Sequence, residues 1–422
     1  MENRKNWAGN YSYRAARLHC PETLEQVQEL AARSRKIKTL GTRHSFNDIA
    51  DTSDDLISLA RFNRVLALDR ERRTVTVQAG VRYGDLCRYL DGEGCALHNL
   101  ASLPHISIAG ACATATHGSG HNNGNLPTAV SAMEMVTASG EAVSLSRERD
   151  GKSFAGMVVG LGALGLVTEL TLDIVPTFDV RQDVYENLPL AQLEEHFDEI
   201  MGSAYSVSLF TDWQSARFSQ IWRKRCVTEG DDFAAEPEWF GATLATRDLH
   251  PIADISAENC TKQRGVPGPW HERLPHFRLE YTPSSGEELQ SEYLVPRPHA
   301  LAALRAIREL REHVAPHLQI SEVRTVAADD LWMSPCYGQA CVALHFTWKQ
   351  DWPAVREVLP LIEERLAPFA ARPHWGKLFT MPPARVRSLY ERLPDFQQLA
   401  RRCDPDNKFG NAFLDTYLAS EP

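Results

Sequence analysis

Residues 98–124 read HNLASLPHISIAGACATATHGSGHNNG, a block dominated by small and polar side chains. Small residues let a backbone approach a ligand closely, and consecutive N–H groups can form concave anion-binding sites. Hydroxyl groups that can bond to phosphate oxygens are present on Ser107, Thr114, Thr116 and Ser119. No P-loop lysine follows, so the block is not an ATP loop. A packing core of small residues would not need so many polar groups, and we therefore predict a phosphate-bearing cofactor.

A second glycine-rich segment, residues 160–165, has the spacing GxGxxG of dinucleotide-binding Rossmann folds. That fingerprint requires a helix to open inside it, because the pyrophosphate lies on the helix N-terminus. The residues that follow, LVTELTLDIV, alternate like a strand. We interpret the segment as a site of tight backbone packing and not as a nicotinamide site.

Composition restricts the class of protein. The chain has 422 residues, 43% hydrophobic and 24% charged, which is typical of a globular protein of two or three domains. Its formal charge of -10 argues against a nucleic-acid partner. The most apolar run, residues 154–167, is too short to span a membrane and contains four glycines. No CxxC pair occurs among the nine cysteines, so we predict free thiols, no metal site and a cytoplasmic location. A monomer is compatible with this size.

Periodicity predicts an α+β protein. Apolar residues recur at helical spacing from Pro21 to about Ile37, and a second helix is predicted over YGDLCRYLDGEG. AVSAMEMVTASGEAVSLS alternates like a hairpin with its turn at Ser139 and Gly140. After Pro176 strands such as VSLFTDW mix with clear helices, notably HALAALRAIRELREHV.

Several motifs carry a resemblance to a known family. GTRHSFND at residues 41–48, with SLPHISIAG and ATHGSG, resembles the vanillyl-alcohol-oxidase-type FAD-binding domain. More narrowly, the chain resembles bacterial alditol (xylitol) oxidases along nearly its whole length, in the segments NWAGN, SVSLFTDW, NCTKQRGVPGPWHERLPHFR, SEVRTVAADDLW, ARPHWGK and DPDNKFGNAF. The resemblance implies a two-domain flavoprotein: an FAD-binding domain over residues 1–178, a substrate domain over 179–376, and a segment over 377–422 that returns to the first domain.

The same resemblance implies the cofactor site. His44 matches the histidine bonded covalently to the flavin of FAD, although a lone histidine after a glycine turn is ordinarily unremarkable. Thr42 and Arg43 replace the small Ser-Gly pair typical of that turn, and Ala115 replaces a glycine. Neither substitution removes a functional group that the cofactor would need, so the prediction of FAD stands. The implied cofactor-binding residues are Gly41, Thr42, Arg43, His44, Ser45, Ser102, Ser107, Gly110, Thr114, Ala115, Thr116, His117, Gly118, Ser119, Val167 and His374.

Two residue pairs are candidates for the chemistry. Glu322 and Arg324 are two positions apart and share one face of an extended strand, as do His345 and Thr347. Considered one at a time, Glu322 and Arg324 would be interpreted as solvent-facing charges on a strand, and His345 as a histidine of the core. By resemblance to alditol oxidases, the catalytic residues are Arg324, Lys377 and His345, and the substrate-binding residues are Ser102, Glu322, Arg324, Thr347 and Lys377.

The implied function is oxidation of the terminal primary alcohol of an alditol, such as xylitol or sorbitol, to the aldose, with oxygen reduced to hydrogen peroxide. An uncharged polyol needs a dense set of donors and acceptors. Arg324 and Lys377 would stabilise the developing alkoxide, and His345 is the best candidate base. Two alternatives stay open: an aldonolactone oxidase or a polyol dehydrogenase with another electron acceptor, and a non-catalytic sugar-binding protein.

Overall fold

A computed structural model describes residues 4–228 and 234–419 of the chain. Helices and sheets both contribute large parts of it, which confirms the α+β prediction. The α-helices of the described residues are α1 (Leu24–Arg33), α2 (Tyr83–Gly92), α3 (Ile108–Ala113), α4 (Arg147–Val158), α5 (Leu190–Gly202), α6 (Ala300–Glu309), α7 (Arg311–Val314), α8 (Trp352–Leu366), α9 (Pro383–Ser388), α10 (Leu393–Cys403) and α11 (Ala412–Leu418).

Up to residue 176 the strands are short and form three separate sheets among the described residues. A parallel sheet has the order β1-β3-β2, an antiparallel sheet has the order β4-β5-β9-β7-β8, and β6 pairs with β10. The strands are β1 (Arg17–His19), β2 (Ile37–Leu40), β3 (Asp55–Ser58), β4 (Val65–Asp69), β5 (Thr74–Gln78), β6 (Cys95–Ala96), β7 (Val130–Val136), β8 (Ala142–Ser146), β9 (Leu166–Asp173) and β10 (Val175–Pro176).

Local sequence accounts for these elements. In α1 the Thr23 side chain accepts a hydrogen bond from the N–H of Gln26, and Val27, Leu30 and Ala31 are buried on one face. Every second residue of β9 is buried, as the alternation in LVTELTLD predicts. The predicted hairpin is present as β7 and β8. The GxGxxG segment leads into the strand β9 and not into a helix, so it is no Rossmann fingerprint.

From residue 179 a single large antiparallel sheet dominates. Its order is β14-β15-β11-β13-β12-β18-β19-β17-β20, with β16 paired to β11. One face packs against the helices α5, α6 and α8 around a core that includes Tyr293, Val323 and Leu344. The strands are β11 (Asp179–Pro189), β12 (Ser206–Thr211), β13 (Arg217–Val227), β14 (Glu238–Trp239), β15 (Ala242–Leu244), β16 (Gly268–Pro269), β17 (Leu289–Pro296), β18 (Leu318–Val326), β19 (Cys341–Trp348) and β20 (Arg372–Pro373).

The C-terminal residues contact the N-terminal part of the chain. The carbonyl of Lys408 accepts from the N–H of Ile37 over 3.0 Å, and Lys408 Nζ donates to the carbonyl of Ala138 over 2.7 Å. Asn411 Nδ2 donates to the carbonyl of Asp51 over 2.8 Å. The nine cysteines are all free thiols. Among the described residues, no helix has the length and apolarity needed to cross a membrane.

Candidate active site

A cavity of about 530 Å³ lies between the two parts of the chain. One end is lined by the turn after β2, by α3 and the residues after it, and by the loop before β9. The other end is lined by the face of the large sheet that does not pack on helices. A ligand held at the first end therefore faces the polar side chains of the sheet at the second.

The turn after β2 is built for close approach to a ligand. A Cβ atom on Gly41 would lie 2.5 Å from Ser107 Oγ, so any larger residue there would displace the Ser107 side chain. Thr42 Oγ1 accepts from the N–H of Ser107 over 3.0 Å and ties the turn to α3. Arg43 has a left-handed backbone with φ of 64°. The same conformation occurs at Ala115, with φ of 55°. Residues other than glycine rarely adopt this backbone conformation, so both positions are strained.

His44 lines the cavity, and its ring stacks on Trp7 with centroids 5.5 Å apart. His44 Nδ1 lies 3.0 Å from Thr42 Oγ1. His44 Nε2 is buried and has no hydrogen-bond partner within the described residues. Burial, followed by the nearby His105, lowers the pKa of His44 to about 4. The ring is therefore neutral near pH 7, and one buried nitrogen is left for a group held in the cavity.

Strand register brings the candidate polar residues together. Glu292 on β17 and Glu322 on β18 are both Cα partners of His345 on the strand between them, β19. Side chains of direct partners lie on the same face of a sheet, so the three form a row across it. Arg324 and Thr347 lie two residues further along their strands and share that face. The alternate positions point to the opposite face and its apolar core.

Glu292 joins the two cations of this face. Its side chain is 1% exposed, Oε1 accepts from Arg324 Nη2 over 2.6 Å, and Oε2 accepts from Lys377 Nζ over 2.7 Å. His117 Nε2 is 3.4 Å from Oε1. Burial opposes ionisation of Glu292, but Lys377, His117 and Arg324 hold its pKa well below the usual range. Glu292 is therefore a buried carboxylate that fixes both cations.

The remaining contacts complete a charge-balanced cluster. Arg324 Nη1 donates to Ser102 Oγ over 3.3 Å, which connects the sheet to the N-terminal block. Arg324 Nε lies 3.5 Å from Glu322 Oε1. His345 Nδ1 is 2.8 Å from Lys377 Nζ and His345 Nε2 is 3.1 Å from Thr347 Oγ1. Burial and Lys377 keep the pKa of His345 well below 6.5, so the ring is neutral. Two carboxylates thus face two cations.

Removing the charge of Glu292 gives a testable prediction. We expect Glu292→Gln to lower the free energy of unfolding by about 3 kcal/mol, because it leaves the buried Arg324 and Lys377 without a counter-charge. Urea unfolding of wild type and variant measures the difference.

Glu363→Gln is the matched control. Glu363 is also buried, but it accepts from neutral donors, Tyr293 and Thr380, so the variant should lose only about 1 kcal/mol. Equal losses in the two variants would contradict the assignment of Glu292 as the counter-charge.

Most of the residues predicted from sequence line the cavity. They are Gly41, Thr42, Arg43, His44, Ser45, Ser102, Ser107, Gly110, Thr114, Thr116, His117, Val167, Glu322, Arg324, His345, Thr347, His374 and Lys377. Ala115, Gly118 and Ser119 lie behind the described cavity wall. Ala115 is part of the apolar core, a Cβ on Gly118 would lie 2.2 Å from the carbonyl of Leu100, and Ser119 Oγ donates to the carbonyl of Val207.

Sequence reasoning missed Glu292, His276 and Lys38, which also line the cavity. Glu292 and His276 act through long-range contacts that no local pattern indicates. Lys38 is buried and donates to the carbonyl of Gly162 over 2.9 Å. The GxGxxG segment, interpreted from sequence as tight packing only, forms part of the cavity wall through this contact. A Cβ on Gly165 would lie 3.0 Å from the carbonyl of Val136, which agrees with the predicted tight packing.

Similar structures and family models define the class of protein. A crystal structure of cholesterol oxidase from B. sterolicum matches with a TM-score of 0.79 and 15% identity, covering 98% of this chain and 96% of that chain. A family model described as FAD binding domain matches residues 15–146, and a model described as D-arabinono-1,4-lactone oxidase matches residues 286–417. The structural match shows the fold of the chain, and the first family model identifies an FAD-binding domain in its N-terminal part.

Similarity to curated proteins gives the family. The chain is 50% identical to an alditol oxidase from a Streptomyces species over 412 residues, which is 97% of each chain. It is 27% identical to an L-gulonolactone oxidase from Mus musculus over 437 residues, again 97% of each chain. With half of its residues identical over nearly the full length, the chain belongs to the alditol oxidase family.

The residues at the first end of the cavity fit FAD. Gly41 and Gly110 leave an open cradle beside the hydroxyl of Ser107, where a Cβ on either would meet Ser107 Oγ within 3.0 Å. His44 Nε2 is a buried polar atom without a partner in the part of the chain that the structure describes, and a bound group would satisfy it. Backbone N–H and hydroxyl groups around the cradle are suitable partners for a diphosphate.

Proposed function

We propose that this chain is an FAD-dependent alditol oxidase, which converts the terminal primary alcohol of a polyol to the aldose. The observation that carries the proposal is the charge-balanced polar row on the sheet, directly beside the FAD-binding end of one cavity. Two carboxylates, two cations, a neutral histidine and two hydroxyl side chains offer many hydrogen bonds and no net charge. Such a surface suits a neutral ligand rich in hydroxyl groups.

We assign separate roles to the polar residues. Arg324 and Lys377 stabilise the oxygen that becomes negative as the O–H proton leaves. Glu322, Ser102 and Thr347 bond to the substrate hydroxyls. His345 is a neutral acceptor, and a substrate hydroxyl that replaces Lys377 at Nδ1 would deliver its proton there. Glu292 holds the two cations at a fixed distance from each other.

Bound FAD supplies the acceptor for the hydride that leaves the carbon and passes two electrons to oxygen, giving hydrogen peroxide. We further propose that His44 carries the flavin covalently and that His374 lies beside it. We propose a division into domains of residues 1–178, 179–376 and 377–422, in which residues 1–3, 229–233 and 420–422 lie outside the described residues. We also propose that oxygen is the electron acceptor, that the protein is a monomer and that it is located in the cytoplasm.

A substrate panel tests the function. Under anaerobic conditions xylitol and sorbitol are expected to bleach the flavin, and admitting oxygen should produce one hydrogen peroxide for each aldose. An aldonolactone presents a ring carbonyl and no terminal chain of hydroxyls in the same arrangement, so it should reduce the flavin at least about 100-fold more slowly, in the range that polar-group discrimination achieves.

The lactone is the informative comparison because the model matched over residues 286–417 is described as D-arabinono-1,4-lactone oxidase. Rapid bleaching by D-arabinono-1,4-lactone with none by polyols would replace the proposal with that activity. Bleaching by polyols without peroxide formation would indicate a dehydrogenase. A protein without bound flavin would indicate a sugar-binding protein.

A further inference from the structure

A fully buried lysine lies outside the groups assigned above. Lys224 on β13 has 0% exposure, and its Nζ is bonded to three acceptors. These are the carbonyl of Leu274 at 2.6 Å, the carbonyl of Pro275 at 3.0 Å and Nδ1 of His276 at 3.0 Å. An ammonium group has three hydrogens and no acceptor capacity, so each hydrogen has one partner. Burial lowers the pKa of Lys224 to about 7, and the charge of Glu322 opposes that shift.

The contact with Lys224 determines which nitrogen of His276 carries the hydrogen. While Lys224 is protonated it can only donate, so Nδ1 of the ring must accept, and the single hydrogen of a neutral ring is then on Nε2. His276 Nε2 lies 2.8 Å from Glu322 Oε1, where it donates to the carboxylate. Burial and Lys224 lower the pKa of His276 to about 4, although Glu322 opposes this. The ring is therefore a neutral donor of fixed orientation.

The segment around His276 also reaches the other side of the substrate end. The N–H groups of His276 and Phe277 donate to the carbonyl of Ser102 over 3.1 and 3.3 Å. The ring and the backbone of His276 thus contact Glu322 and Ser102, two substrate-binding residues that come from different parts of the chain. Thr261 Oγ1 donates to the carbonyl of Pro275 over 2.8 Å, so it supports the same segment without touching the ring.

We propose that Lys224 is a positioning residue for polyol recognition: it holds His276 in the Nε2–H tautomer, and His276 in turn orients Glu322 so that Oε2 remains for the hydroxyls remote from the reacting carbon. The inference rests on the proposed function for the identity of the substrate. The relay, by which we mean the hydrogen bonds from Lys224 to His276 and from His276 to Glu322, consists of protein groups alone and is independent of any substrate. The charged and titratable groups that face the His276 ring are Lys224, Glu322 and Arg324.

Lys224→Met is the primary test, made on the FAD-loaded enzyme. We expect the KM for xylitol to rise about tenfold, the size of a lost hydrogen bond to a charged group. The limiting rate of flavin reduction should change less than about threefold, because Arg324 and Lys377 are untouched. Thr261→Val is the matched control, since it loosens the same segment and leaves the ring contact. It should change the KM less than about threefold.

The pH dependence separates positioning from simple loosening. Without the positive charge of Lys224 the pKa of His276 rises. Below that pKa the imidazolium carries a hydrogen on both nitrogens and keeps its bond to Glu322. As the pH rises through the pKa of His276, the neutral ring of the variant divides between two tautomers. Below about pH 6, where Lys224 of the wild type is protonated, the KM of Lys224→Met should therefore increase with pH while that of wild type stays flat. A flat profile in the variant would overturn the proposal.

A spectroscopic measurement reports on the relay without substrate. At about pH 6, where Lys224 is protonated and the ring of His276 is neutral, protein labelled with 15N-histidine should show His276 as the Nε2–H tautomer in wild type and in Thr261→Val. In Lys224→Met it should show a mixture of tautomers or the imidazolium. Hydrogen on Nδ1 in wild type would overturn the proposal even if polyols are oxidised. The predicted tautomer in a protein that oxidises no polyol would instead reject the proposed function.

A second pair of variants covers the case in which Lys224→Met does not fold. His276→Gln keeps an N–H donor for Glu322 and has no tautomer, so its KM should stay within about threefold of wild type. His276→Leu removes the donor and should raise the KM about tenfold. Equal KM values in these two variants would overturn the proposal.

Discussion

Lys377→Met is expected to lower the rate of anaerobic flavin reduction by xylitol about 100- to 1,000-fold. Lys377 Nζ is fixed by Glu292 Oε2 at 2.7 Å and by His345 Nδ1 at 2.8 Å, and its side chain is only 15% exposed. A donor held in place and shielded from water stabilises developing negative charge more than it stabilises bound substrate. Methionine keeps an unbranched side chain and removes the charge. Stopped-flow absorbance of the bound flavin measures the rate.

Lys349→Met is the control for this prediction. Lys349 lies on the surface and its Nζ donates only to the carbonyl of Pro316 in the contacts described, over 2.8 Å. That variant should reduce its flavin at the wild-type rate. A Lys377→Met protein that stays yellow and is reduced at nearly the normal rate would assign the chemistry to Arg324 and His345 instead. A protein that fails to bind flavin would assign Lys377 a structural role.

His44→Ala is expected to abolish covalent flavin completely. The buried, neutral ring of His44 has Nε2 without a partner in the described parts of the chain and is held by Trp7 and Thr42. Wild-type protein denatured in acid should fluoresce on a gel, and its mass should exceed that of the polypeptide by one FAD and not by one FMN. The variant should lose both signals, because FAD would then bind reversibly and dissociate on denaturation.

His105→Ala is the matched control for the covalent bond. His105 lies close enough to His44 to influence its pKa, but it is not among the described residues that line the cavity, and its Nε2 is hydrogen-bonded to the carbonyl of Tyr281 at 2.9 Å. This variant should keep the full fluorescence and mass of wild type. Fluorescence that persists in His44→Ala would place the attachment at another residue.

Much of the fold was predictable because its signals are local. The alternation in β9, the helical spacing in α1 and the turn between β7 and β8 are each contained within a few residues. The cofactor end of the cavity was predictable for a similar reason, since its glycine and hydroxyl residues lie in two continuous motifs. Their backbone conformation was not predictable. Arg43 and Ala115 have a left-handed backbone, but neither is a glycine, so the sequence gives no sign of that conformation.

The sequence by itself determined the class of cofactor, the family and the faces of single strands. Glu322 and Arg324, or His345 and Thr347, share a face because the side-chain period of a strand is two. Only the tertiary structure decided which strands meet. Glu292 sits in the apolar-looking strand LQSEYLVP and Lys224 in the charged run RKR, and neither context indicates a site. Register between strands that are distant in sequence places Glu292 in the polar row, and a loop about 50 residues after Lys224 buries that lysine against His276. Such pairings depend on the packing of the whole sheet and not on neighbouring residues, which is why no local pattern could indicate them.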